Sequence, residues 1–91
     1  MRNMKHEAVA RDLAKRAIKF VQSNKRVQEF SINMVTFYMK LDAKEQYLSF
    51  GSAETEGEIS ASASQGEFEE FFLTILNRMM SREHLIEYGI R

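Results

Sequence analysis

The sequence has no cysteine, and that one absence removes disulfides, thiolate zinc sites and thiol nucleophiles together. Proline is missing too, and the four glycines are scattered, so they cannot form a glycine-rich phosphate loop. No stretch approaches the ~18 uncharged apolar residues of a membrane-spanning helix. Met1 to Lys19 is charged throughout and lacks the apolar segment of a secretory leader. No repeat of solenoid type is found at any period. Together these absences make a cytoplasmic protein, with no membrane role, the simplest expectation.

What is present is globular composition. The 91 residues are 44% hydrophobic and 29% charged, enough for one core and too few for two, so residues 1–91 are expected to form a single domain. Net charge is zero but unevenly placed. Residues 1–45 hold ten Lys/Arg against five Asp/Glu, and residues 46–91 hold three against eight. Halves of opposite sign suit either head-to-tail self-association or one charged face that meets a partner.

Hydrophobic periodicity sets the expected elements. Between residues 4 and 23, Val9, Leu13, Ala17, Phe20 and Val21 share one side at helical spacing, with Ala10 and Ala14 beside them. Residues 27–41 are rich in β-formers but change phase: Phe30, Ile32 and Met34 alternate on one face, and Val35, Phe37, Met39 and Leu41 on the other. A single strand with a bulge at Met34-Val35 reconciles the two sets, and a sheet with two apolar faces is the alternative. Shorter strands are expected at 46–52 and 58–63, the second alternating Ile59, Ala61 and Ala63 against Ser60 and Ser62.

A second helix is expected over 65–80. Ser64 and Glu67 have the spacing of a capping box, and Phe68, Phe71, Phe72, Ile75, Leu76 and Met79 follow as an apolar stripe. A short extra helix over 82–88, with Gly89 closing it, completes the reading. The expected fold is therefore α+β in the order α-β-β-β-α, a three-stranded antiparallel meander packed against two amphipathic helices.

The sequence shows no chemistry of a recognised kind. His6 and His84 are far apart, Glu83 and Glu87 near His84 do not complete a metal-ligand spacing, and no nucleophile motif accompanies the serines. No catalytic residue, metal site, cofactor or small-molecule substrate is expected. Three surfaces stand out instead. Lys5, Arg11, Lys15, Arg16 and Lys19 form a candidate basic face on the first helix. Glu54, Glu56, Glu58, Glu67, Glu69 and Glu70 form a candidate acidic patch, and Phe30, Ile32, Met34 and Tyr38 a candidate sheet interface.

The expected function is a non-catalytic interaction protein, a small binder, inhibitor or adaptor that occupies a surface of a protein partner. Small motif-free chains of this sort are common among phage and mobile-element proteins that block host machinery, an expectation from kind and not from residues. Nucleic-acid binding through the basic helix face is the runner-up. It shares the element order of double-stranded RNA-binding domains, but three glutamates open the last helix where phosphate contacts would fall. A homodimeric structural subunit is the third reading.

Overall fold

The computed structural model describes residues 2–91, with side chains from residue 3 onward. In chain order the elements are β1 (Arg2–Met4), α1 (His6–Gln22), β2 (Val27–Ile32), β3 (Val35–Leu41), β4 (Tyr47–Gly51), β5 (Glu56–Ser60), α2 (Gln65–Met79) and β6 (Ile86–Ile90). The fold is α+β, with two helices and one six-stranded sheet in the order β1-β6-β2-β3-β4-β5. Every neighbouring pair is antiparallel. Strands β2 to β5 form the expected meander with one strand more than expected. After α2 the chain returns to lay β6 against β2, and β1 closes the far edge.

The phase change in residues 27–41 is not a bulge within one strand. It is a two-residue hairpin: Ile32 pairs with Val35, and Asn33 and Met34 between them have φ of 51° and 68°. Positive φ at both central residues is the turn that matches the right-handed twist of the flanking strands. Because directly paired residues share a face, Phe30 and Ile32 on β2 and Phe37, Met39 and Leu41 on β3 all point to the same side. One apolar face results where the sequence seemed to offer two. That corrects the candidate sheet interface. Phe30 and Ile32 are 1% and 0% exposed beneath the helices, Met34 stands out on the turn, and only Tyr38 lies on the uncovered face.

The second correction lies at the C-terminus. Residues 82–88 do not form a helix; Ser81 and His84 close a turn through a backbone bond, and the chain extends as β6. Ile86, Tyr88 and Ile90 alternate, and the first two are buried against the core. Gly89, expected to end a helix, instead sits opposite Ser31 in the ladder.

Both helices lie on the apolar face and pack directly on one another. Ala10, Ala14 and Ala17, each almost fully buried, let α1 approach α2 closely. Phe50 centres the aromatic core, edge-on to Phe72 at 5.0 Å and stacked on Phe37 at 5.3 Å between centroids. The capping box of α2 forms as expected: Ser64 N–H donates to Glu67 Oε1 at 2.9 Å, and Glu67 N–H donates to Ser64 Oγ at 3.2 Å. Among the described residues no helix is long and apolar enough to cross a membrane.

Candidate functional site

The two sheet edges differ. β1 is a three-residue strand, whereas β5 runs for five residues with no strand beyond it among the described residues. Ser52 N–H donates to Thr55 O and Ala61 N–H to Gln46 O, which sets the alternation along β5. Thr55, Gly57, Ile59 and Ala61 therefore direct their backbone groups to β4. Those of Glu56, Glu58 and Ser60 point to the free edge.

Between this edge and α2 lies a groove of about 480 Å³. Gly57, Ile59, Phe71 and Ile75 give it an apolar floor. Glu58, Glu67 and Glu70 border it, with Arg78 the only lining cation among the described residues. α2 comes close to Gly57: a Cβ there would stand 3.0 Å from Phe71 Cε1 and 3.3 Å from Ile75 Cδ1.

The fold thus gathers most of the predicted acidic patch. Glu67 and Glu70 line the groove from α2 and Glu58 lines it from the edge strand, its side chain on the uncovered face by register, while Glu54 and Glu56 continue along the β4–β5 turn and that strand. Glu69 is drawn away, pairing with Arg11 at 3.5 Å on the side facing α1. The backbone and then the side chain of Ser64 hydrogen-bond to Glu67 and hold its carboxyl below the usual carboxylate range. It stays ionised at neutral pH and keeps the groove mouth negative.

The predicted basic face is exposed along α1, but two of its five members are already engaged. Arg11 meets Glu69, and Arg16 Nε donates to Asp12 Oδ2 at 2.8 Å. Lys5, Lys15 and Lys19 make no ion pair among the described residues. Arg16 and Lys19 instead join Lys25, from the loop after the helix, around a cleft at the end of α1.

The uncovered sheet face carries Val27, Tyr38 and Tyr47 as large exposed side chains, with Lys40 Nζ 5.3 Å from the Tyr38 ring centroid. Glu29, Glu56, Glu58 and Glu87 share that face by register, so it is acidic and unsuited to phosphates. His6 is fully buried at the start of α1, its Nδ1 2.8 Å from Asn77 Oδ1 and its Nε2 without a partner among the described residues. Among the described residues no three His, Asp or Glu side chains come together in a way that could hold a metal ion. No protein-family model matches this chain, and comparison with curated proteins and with solved structures returns no significant match.

Proposed function

We propose that this protein is a non-catalytic interaction protein that receives an extended, basic segment of a protein partner along the free edge of β5. The observation that supports the reading is the open backbone ladder of Glu56, Glu58 and Ser60 beside a groove with an apolar floor and a carboxylate rim. Strand addition takes affinity from main-chain hydrogen bonds and specificity from alternate side chains. A strand laid on β5 turns every second side chain toward Ile59 and Phe71, and the others toward Glu56 and Glu58. The preferred partner therefore alternates apolar with basic residues.

Self-pairing at this edge is disfavoured. A second β5 would bring glutamates opposite glutamates, and like charges directly across a ladder are destabilising. A reducing cytosol suits a chain without cysteine, and the reading places it there. Occupying a partner's segment in this way is how a small adaptor or inhibitor acts.

The test is titration of the protein with a peptide of about eight residues alternating Lys and Val, followed by amide exchange. Binding should protect the amides of Glu56, Glu58 and Ser60, and the double change Glu56→Lys, Glu58→Lys should weaken it at least about tenfold. The same peptide with Glu in place of Lys should not bind. Saturating peptide that leaves these amides unprotected, or a charge reversal without effect, refutes the reading.

A further inference from the structure

A second cleft, on the opposite side of the sheet's centre from the β5 groove, lies between the last turn of α1 and the ends of β2 and β6. Its volume is about 200 Å³. Phe20, Phe30 and Ile90 form its wall, and Ile90 is the accessible part, 48% exposed. Arg16, Lys19 and Lys25 line it, and no acidic residue does so among the described residues. Lys19 in the last helical turn complements the helix dipole. That accounts for one cation, but not for three converging on an apolar wall from a helix and a loop.

The cations are held differently. Asp12 Oδ2 accepts from Arg16 Nε and fixes the guanidinium at the cleft, and Tyr88 Oη donates to that same oxygen at 2.8 Å. Lys25 Nζ lies 3.4 Å from Gln28 Oε1, a neutral partner that also lines the cleft and leaves the charge uncompensated. Ser23 Oγ donates to Phe20 O and accepts from Lys25 N–H, so it shapes the loop and is not left to hold a ligand. Lys19 and Lys25 have no carboxylate within ion-pairing distance among the described residues.

Two uncompensated ammonium groups beside a fixed guanidinium match a dianion better than a single carboxylate, and the guanidinium adds directional donors. The volume, at ~30 Å³ per water, equals about seven waters, the scale of a compact organic anion. We propose that this cleft binds a small phosphomonoester, its phosphate held by Arg16, Lys19 and Lys25 and its apolar body against Ile90. The site is separate from the β5 groove and does not depend on the strand-addition reading.

The probe is phenyl phosphate, titrated at low salt into the full chain and followed by amide chemical shifts. Saturable shifts at Lys19 to Gln28 and at Ile90 are expected, with Kd of about 1 mM or tighter. Inorganic phosphate and phenol should each bind at least about tenfold more weakly. Lys19→Gln with Lys25→Gln, both at exposed positions, should cost at least about tenfold while leaving the melting temperature near that of the unmodified chain. Ile90→Ser should weaken phenyl phosphate and leave inorganic phosphate unchanged. Absence of saturable shifts, equal binding of phenyl phosphate and inorganic phosphate, or indifference to the double lysine change overturns the proposal.

Discussion

The Tyr88 hydroxyl donates a 2.8 Å hydrogen bond to Asp12 Oδ2 across 76 positions of sequence, tying β6 to α1 at the oxygen that also holds Arg16. Burial works to raise the Asp12 carboxyl, but the hydrogen bonds from Arg16 and Tyr88 outweigh it and hold the group below the usual carboxylate range. Burial, then the Asp12 contact, pushes the Tyr88 hydroxyl well above the ordinary phenol value.

Both shifts have consequences for stability. A depressed carboxyl stabilises the fold above its unfolded value, near pH 3.9, and that contribution disappears as pH falls through the lower folded value. Asp12→Asn should therefore cost about 0.5–1 kcal/mol near neutrality, kept small because the side chain is about a third exposed. The deficit should shrink below about pH 4. The raised Tyr88 acts at the other end: its contribution is complete below about pH 10 and is lost as pH rises toward the folded value. Urea midpoints of the two proteins across pH check this, and a deficit that stays constant from about pH 7 to about pH 2.5 contradicts it.

The β2–β3 turn makes a prediction of opposite sign. Met34 sits at φ 68° with its side chain 78% exposed, so it bears the steric cost of the left-handed region and gains little packing. Met34→Gly should remove that cost and stabilise the chain by roughly 0.5–1 kcal/mol after glycine's own entropy is counted. Thermal melts decide it; an unchanged or lowered midpoint argues that Met34 packs more than its exposure implies.

Asn33 in the same turn bears a different load. Its Oδ1 accepts from Glu87 N–H at 3.0 Å, its Nδ2 donates to Met80 Sδ at 3.2 Å, and its own N–H donates to Glu87 O at 2.8 Å. Asn33→Ala leaves the Glu87 amide, on a partly buried bond, without its acceptor, and alanine tolerates positive φ poorly. A loss of about 1–3 kcal/mol is expected, with the amide of Glu87 exchanging faster than in the parent protein. Asn33→Gly separates the two effects, since it restores the backbone freedom and not the bond.

These residues show what could be read from sequence. The helices were legible because Val9, Leu13 and Phe20, and Phe68, Phe72 and Ile75, recur at helical spacing, and because Ser64 and Glu67 announce the second helix. The hairpin was hidden because its turn is Asn-Met; the glycine that usually occupies the second position is absent, so the phase change looked like a bulge. Ile86, Tyr88 and Ile90 did alternate with period two, but Ser81 and Gly89 imitated helix caps and outweighed them. β1 is too short to carry any period. The acidic patch was legible as a charge run. Its groove was not, because Phe71 and Ile75 meet Gly57 only through the packing of α2 on the sheet edge. Contacts such as Asp12 with Tyr88 or Glu7 with Arg82 join the two ends of the chain and leave no local signal.

The two glycines near the β5 edge should respond unequally to alanine. A Cβ at Gly51 would lie 2.2 Å from Thr55 O and 2.6 Å from Glu56 Cα, and backbone at those positions cannot rotate aside. Gly51→Ala must displace the β4–β5 turn, at an expected cost of about 2–3 kcal/mol. At Gly57 the neighbours are the ring edge of Phe71 and the terminal carbon of Ile75, which can yield, so Gly57→Ala should cost about 1 kcal/mol or less. The same methyl fills part of the groove floor. Gly57→Ala should therefore weaken the alternating Lys-Val peptide by more than its small stability loss explains. The lysine-alternating strand can still reach Glu56 and Glu58, so the loss should appear as faster peptide release and not as a change in salt dependence. Melting temperatures of the two variants, with peptide dissociation rates for Gly57→Ala, separate the two roles. Equal destabilisation by both changes would show that the groove floor is as rigid as the turn.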